Sequence, residues 1–251
     1  MNCHTGKVEK QFGTVAEAYL SSTVHSQGAD LAAISDKARA TSGARVLDLG
    51  CGAGHVSFAI APHVESVIAY DLSREMMDVV YSEAKRRGLH SISTEQGRAG
   101  ELPFENASFD WVCTRYSAHH WTEVRKALHE TRRVLKQGGS LVVIHTCAPA
   151  NPLLDTYLQT IELLRDESHV RNYSLAEWIS MLGETGFQLK TQSCWKLNLD
   201  FNAWVERMRT PAVYVEALRS LLQNAPREVR EYFQVTEDCS FALDSVLIEA
   251  S

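Results

Sequence analysis

The run Val46-Leu-Asp-Leu-Gly-Cys-Gly-Ala-Gly-His55 carries the densest chemical signal in the chain. Val46, Leu47 and Leu49 set a buried strand, and Asp48 stands inside it. Gly50, Gly52 and Gly54 follow at alternate positions, with Cys51 between the first two, and His55 to Ile60 opens a helix. This combination makes a ligand cradle. A Cβ in the turn would hold a ligand off the backbone. The helix start offers unpaired N–H groups and a positive dipole end to a carboxylate.

The spacing discriminates between ligands. A dinucleotide cradle asks for G-x-G-x-x-G, whose third glycine lets helix and strand approach. His55 and Ser57 occupy the two positions where that glycine would fall. The next strand, Val67-Ile-Ala-Tyr-Asp71, ends in a carboxylate. An acid there accepts both hydroxyls of a ribose. A nucleoside ligand without a pyrophosphate fits best, S-adenosylmethionine being the obvious one.

Strands and helices alternate from residue 45 onward, which calls for a parallel sheet with helices on both faces. The pattern predicts strands near 45–49, 66–70, 91–95, 109–114 and 139–146, and helices near 55–63, 74–87 and 122–136. Leu135-Lys-Gln-Gly-Gly139 reads as the glycine stop of the last of these helices. Pro149 and Pro152 mark a boundary, after which Leu153–Leu164 is apolar at helical spacing. Ser174-Leu-Ala-Glu177 is a capping box that opens a further helix through Gly183. Strands near 187–196 and 241–248 then form a hairpin within the sheet, with helices broken by Pro211 over 202–226. The expected architecture is α/β, a Rossmann-like, doubly wound, seven-stranded sheet, mostly parallel with an antiparallel last strand, plus a helical cap. The expected division is lid helices over 1–40, a cofactor-binding core over 41–148, and 149–251 with cap insertions at about 150–172 and 201–234 and the last two strands.

With 251 residues and 45% hydrophobic side chains, the chain makes one large domain or a domain with a cap. A net charge of −6 disfavours a nucleic-acid partner. Arg86-Arg87 and Arg132-Arg133 read as solvated helix faces. No stretch resembles a signal peptide or approaches the ~20 apolar residues of a membrane span. A soluble, cytoplasmic protein is expected. The six cysteines (Cys3, Cys51, Cys113, Cys147, Cys194, Cys239) form no C-x-x-C. They read as free, mostly buried thiols, and no metal site is expected.

Four blocks in register give the chain a family resemblance: Val46 to Gly54, the acid Asp71, Glu101-Leu-Pro-Phe104 with Phe109-Asp110, and Arg133-Val-Leu-Lys136 with Gly138-Gly139. Together they resemble the class I S-adenosylmethionine-dependent methyltransferases, in the small-molecule branch around the ubiquinone/menaquinone C-methyltransferases. Arg165-Asp-Glu-Ser-His-Val-Arg171 followed by Glu177-Trp178 is similar to an incompletely characterised bacterial subgroup. The resemblance implies S-adenosyl-L-methionine as cofactor and S-adenosyl-L-homocysteine as product. It implies that Gly50, Gly52 and Gly54 let the methionine part pass and that Asp48 supports the turn. Asp71 would hold the ribose, and Leu72 and Met76 would sandwich the adenine, packing in the core being the other reading of Met76. One departure stands out: the family commonly has Asp where this chain has Arg98. That Asp accepts the adenine amino group, and Arg is donor-only. Adenine recognition then falls on backbone near Ala99, with Arg98 on the base edge or in solvent.

The fourth strand ends Arg115-Tyr-Ser-Ala-His119-His120-Trp121, where residues face the ligand crevice of a doubly wound sheet. The Asn/Asp-Pro-Pro-aromatic motif of amino-directed DNA methyltransferases is absent. Arg115 either reaches an anionic group or makes an internal ion pair. His119 and His120 are the general-base candidates, against hydrogen-bonded loop histidines. His145 and His169 read as structural. The segment with Phe12, Gly13, Tyr19 and His25 resembles the branch's lid, Tyr19 reaching the methionine carboxylate and His25 the same cavity. Aromatics Tyr157, Trp204, Tyr214, Tyr232 and Phe233 in the cap fit a small, partly apolar acceptor of the methyl group, and core packing explains them equally well. Three readings follow: a small-molecule O- or C-methyltransferase, a non-catalytic binder of the same cofactor, and a protein or nucleic-acid methyltransferase.

Overall fold

The computed structural model describes residues 4–13, 20 and 28–251. In chain order its elements are α1 (His4–Gly13), α2 (Ala29–Ala40), β1 (Arg45–Leu49), α3 (His55–Ile60), β2 (Ser66–Asp71), α4 (Arg74–Arg87), β3 (Ile92–Gln96), β4 (Phe109–Arg115), α5 (Val124–Val134) and β5 (Leu135–Thr146). Then come α6 (Pro152–Arg165), α7 (Leu175–Glu184), β6 (Leu189–Leu199), α8 (Phe201–Arg207), α9 (Ala212–Gln223), α10 (Arg227–Tyr232) and β7 (Phe241–Ala250).

The strands form one seven-stranded sheet in the order β3-β2-β1-β4-β5-β7-β6. Strands β1 to β5 run parallel, and β7 pairs antiparallel with both β5 and β6. The expected doubly wound, mostly parallel architecture with an antiparallel last strand is therefore borne out. Strand order reverses between β1 and β4, so the crevice beyond their carboxyl ends is where such sheets bind ligands. The period-2 alternation of strand side chains builds a core on each face. Leu47 and Leu49 pack with Tyr70, Phe109 and Trp178 on one face. Val46 packs with Val67, Trp111 and Ile144 on the other. A further cluster joins Leu158, Trp204, Leu218 and Val229 of the cap helices to Leu199 and Phe241 of the sheet.

Several boundaries differ from the sequence reading. The helix expected over 55–63 stops at Ile60, because Pro62 has no N–H to extend the ladder. The helix expected over 122–136 spans Val124–Val134, and Leu135 is already extended and paired with Phe109. The glycine pair is therefore no helix stop. It sits in an irregularity of β5, after which Ser140 pairs with Trp111. A Cβ at Gly139 would come within 2.9 Å of the Asp110 carbonyl oxygen, so the close approach of β4 and β5 demands glycine there. Ser174 and Glu177 do form a reciprocal capping box at the start of α7.

Candidate active site

At the carboxyl end of β1 the chain turns sharply. The N–H groups of Gly50 and Cys51 both donate to the Tyr70 carbonyl, at 2.8 and 3.1 Å, locking the turn against β2. Gly50 has φ +72° and Gly52 φ +51°, a region that side-chain-bearing residues rarely adopt. The two differ in what surrounds them. A Cβ on Gly50 would strike Ser117 Oγ at 2.0 Å, whereas a Cβ on Gly52 would meet none of the described residues within 4 Å. Gly52 thus lies in the wall of the crevice, an open cleft that takes in about 1360 Å³ when the solvent at its mouth is counted. Gly54 does not line the cleft; a Cβ there would meet Val80 and Phe58 at 2.9 and 3.0 Å, so this glycine serves packing beneath the turn.

Two carboxylates organise the floor. Asp48 is buried in β1, and its Oδ2 accepts both the backbone N–H and the hydroxyl of Ser57, at 3.0 and 2.7 Å. One of the helix-start N–H groups that the sequence left open to a ligand is therefore engaged by Asp48. Burial pushes the Asp48 carboxyl up to about 7 despite these bonds. Asp71 ends β2 and accepts the N–H of Gly52 on Oδ2 and that of Ser73 on Oδ1, at 2.9 and 3.0 Å. Burial raises its pKa, against the pull of those backbone bonds. A carboxylate has about four lone-pair sites, so each oxygen retains capacity for a further donor.

Leu72, the buried Met76, Arg98 and Ala99 line the same cleft. The Arg98 loop is held by backbone: Gly97 N–H donates to the Asp71 carbonyl at 2.9 Å and the Tyr70 hydroxyl to the Arg98 carbonyl at 3.2 Å. Arg115 also reaches the wall, and its Nε donates at 2.6 Å to Asp30 of α2, both side chains being buried. The internal ion pair is thus present, and it ties α2 to the end of β4. From α1, Thr5, Val8 and Phe12 complete the wall, and His4 Nε2 lies 3.0 Å from the His120 carbonyl oxygen. The sequence reading named Phe12 and Gly13 of this helix through the lid resemblance but passed over His4, Thr5 and Val8, which a mostly polar segment does little to mark. Tyr19 and His25 lie outside the described residues. Cys51 is a free thiol in the cleft wall, and burial raises its pKa.

The two histidines part company. His120 faces the cleft, its Nδ1 3.1 Å from the Ser168 carbonyl oxygen and its Nε2 4.0 Å from Asp166 Oδ2. His119 instead lines a smaller cavity toward the cap, with Nδ1 3.1 Å from His145 Nε2. Burial lowers the pKa of both, that of His119 strongly. Among the described residues no group of three or more His, Cys, Asp or Glu is placed to hold a metal ion, and no helix is long and apolar enough to cross a membrane.

The cleft has the chemistry an adenosyl sulfonium asks for: a carboxylate with spare acceptor capacity, an apolar slot, and a turn without a Cβ. Comparison with known proteins agrees. Residues 47–143 match the family described as methyltransferase domain. The chain is 45% identical over 201 residues to the uncharacterized protein YafE of Escherichia coli, covering 80% of this chain and 97% of that one. It is 37% identical over 246 residues to the uncharacterized methyltransferase YcgJ of Bacillus subtilis, covering 96% and 97%. The crystal structure of a putative methyltransferase from Bacillus halodurans superposes with TM-score 0.85 at 33% identity, covering 89% of this chain and 98% of that one. The chain belongs to the S-adenosylmethionine-dependent methyltransferases. The two relatives, YafE and YcgJ, are of the bacterial subgroup that its sequence blocks resemble.

Proposed function

We propose that this enzyme transfers the methyl group of S-adenosylmethionine to a small, partly apolar acceptor, on oxygen or carbon. The observation that carries this reading is the Asp71 carboxylate, fixed by two backbone N–H groups at the floor of a cleft whose turn has no Cβ at Gly52. Asp71 would hold the ribose hydroxyls, and Leu72, Met76 and Ala99 the adenine. Gly50, Cys51 and Gly52 would border the methionine part, with Asp48 buttressing the turn. Arg98 at the usual acidic position leaves the adenine amino group to backbone acceptors. Residues 1–40 would act as lid, 41–148 as cofactor core, and 149–251 as the acceptor side.

The bound cofactor supplies an already electrophilic methyl on a sulfonium. The protein then has to orient a nucleophile in line and exclude water, and orientation alone lowers a barrier by ~7–11 kcal/mol in favourable cases. His119 and His120 would serve as the general-base candidates for an acceptor that loses a proton. A small, partly apolar acceptor is supported by the demethylmenaquinone methyltransferase of Lactococcus lactis, 36% identical over 124 residues. Net charge −6 disfavours nucleic acid. The test is titration calorimetry with S-adenosylhomocysteine, followed by transfer of isotope-labelled methyl into a fractionated small-molecule extract. Binding followed by label in a low-mass organic fraction is expected. Label confined to protein or nucleic acid would sink the reading.

A further inference from the structure

A second, smaller cavity lies between the loop after β4 and the cap. Its walls include His119, Asn172, Glu162, Arg165, Trp204 and Leu243. Phe12, Tyr116 and His120 line both this cavity and the cleft, so the two spaces adjoin. We propose that this cavity seats the methyl acceptor, that the acceptor is a neutral hydroxyl compound with an apolar body, and that its hydroxyl meets Nε2 of His119, a ring oriented by His145. The inference rests on the methyltransferase reading above and names the acceptor class for that same site.

The orientation follows from a chain of hydrogen bonds. His145 Nδ1 lies 2.9 Å from the Thr146 carbonyl oxygen, which only accepts, so that nitrogen carries the proton. His145 Nε2 is then bare in the neutral ring. The His119 backbone N–H donates to it at 3.1 Å, and His119 Nδ1 lies 3.1 Å from it as well. Two bare nitrogens at that distance would repel, so His119 Nδ1 carries the proton and its Nε2 holds the lone pair. That Nε2 makes no hydrogen bond among the described residues. His120, His145, His169 and Arg165 face His119 and with burial keep the ring neutral, while Glu162, Asp166 and Arg207 line the same cavity.

The rest of the cavity sets the class of acceptor. Arg165 is turned to protein groups, its Nε donating to the Trp204 carbonyl at 2.9 Å and a terminal nitrogen lying 3.7 Å from Glu162. With Arg207 it shares the lining with two acids, Glu162 and Asp166, so the cavity presents balanced charge rather than a site for an anionic head. Asn172 is 1% exposed, yet its Oδ1 has no partner among the described residues, and a buried carboxamide of this kind calls for a polar ligand group. Leu197, Leu199, Trp204 and Leu243 give the remaining wall its apolar character. In the transfer, the acceptor oxygen bonds to the methyl carbon and the carbon–sulfur bond breaks with its electron pair on sulfur. The hydroxyl proton passes to His119 Nε2 and from there to solvent. His119 touches the acceptor; His145 is a positioning residue.

The experiment uses the full chain, labelled with ¹⁵N at histidine and saturated with S-adenosylhomocysteine, with phenol as the hydroxyl probe and anisole and benzoate as controls. Nitrogen NMR should show His119 protonated at Nδ1 and bare at Nε2, and phenol should shift that Nε2 resonance. His119→Ala should weaken phenol by about three- to tenfold, the worth of one neutral hydrogen bond, without weakening S-adenosylhomocysteine. His145→Leu should release the His119 tautomer, and His145→Gln, whose amide oxygen again accepts from His119, should restore it; this pair keeps the test open if His119→Ala folds poorly. Phenol binding indifferent to His119, benzoate or anisole binding as well as phenol, or an unchanged tautomer in His145→Leu would overturn the inference while leaving the cofactor site intact. Failure of S-adenosylhomocysteine itself to bind would overturn the cofactor-site reading along with it.

Discussion

Ser57 gives both its backbone N–H and its hydroxyl to a single oxygen of Asp48, so the strand before the glycine turn and the helix after it are joined beneath the turn. The join places an acid in a desolvated site, and burial outweighs the two bonds, raising its pKa to about 7. In the unfolded chain the same acid titrates near 3.8. A folded pKa above the unfolded one means that Asp48 contributes stability below pH 3.8 and loses it as the pH rises through about 7. Asp48→Asn keeps an acceptor for Ser57 and abolishes this titration. Urea unfolding at pH 4 and pH 8 should find the variant gaining on wild type by about 4 kcal/mol across that interval. A pH-independent difference would place the Asp48 charge elsewhere.

Gly50 and Gly52 share a left-handed backbone, and an alanine at each should fail in a different way. At Gly52 the methyl group meets none of the described residues within 4 Å, so Gly52→Ala should fold with a loss of about 1–2 kcal/mol from the backbone alone. Its methyl projects into the cleft, so S-adenosylhomocysteine affinity should fall disproportionately. At Gly50 the methyl collides with Ser117, in the loop that carries His119 and His120, so Gly50→Ala should lose more stability than Gly52→Ala. Thermal unfolding and calorimetry on both variants check the contrast. Equal affinity losses at equal stability would mean that Gly52 does not face the ligand.

Asp71→Ala removes the acceptor assigned to the ribose. Hydrogen bonds to a charged group are worth ~1.5–3 kcal/mol each, so S-adenosylhomocysteine affinity should drop at least about tenfold. The substitution also frees the Gly52 and Ser73 N–H groups. Asp71→Asn is therefore the informative companion, since its side-chain oxygen can still accept one of them. Calorimetry that finds unchanged affinity in both variants would remove Asp71 from the site.

The parts of this molecule that were legible in its sequence are those in which neighbouring residues act together. The β1 turn and Asp71 belong to a strand–turn–helix unit that local pattern defines. The other two family blocks prove to brace each other: Arg133 donates to the carbonyls of Leu102 and Phe104, at 2.9 and 2.7 Å, and Asp110 accepts from Arg45 N–H and Lys136. They hold the loop that presents Arg98 and Ala99, so a structural staple stood out as a motif. What escaped notice depends on distant pairing. His145 shows nothing in its own segment of the strand to reveal that His119 leans on it. The second cavity needs the loop after β4, the 162–172 segment and the β6–α8 corner brought together, a convergence that no periodicity encodes. The glycine pair after Leu135 misled because a tight approach between strands uses the same residue type as a helix stop.

His169 offers a test of the histidine cluster that leaves the proposed chemistry alone. Its Nε2 lies 3.0 Å from Gln159 Oε1, a pure acceptor, so this nitrogen carries the proton of a neutral ring. Burial, with His120 adding to it, lowers its pKa to about 3, and burial lowers that of His145 to about 4. For a base whose folded pKa lies below the unfolded value of 6.5, stability is present above 6.5 and is lost as the pH falls, because the unfolded chain takes up protons that the folded one refuses. Each such histidine should remove about 2 kcal/mol between pH 6.5 and 5. His169→Gln cannot charge, so the wild-type-minus-variant difference in unfolding free energy should shrink by about that amount over the same interval. Taking the difference cancels the opposite slope that Asp48 imposes on both proteins. If the difference held constant from pH 6.5 to 5, His169 would take up its proton in the fold as it does in the unfolded chain, and burial would not hold this ring neutral.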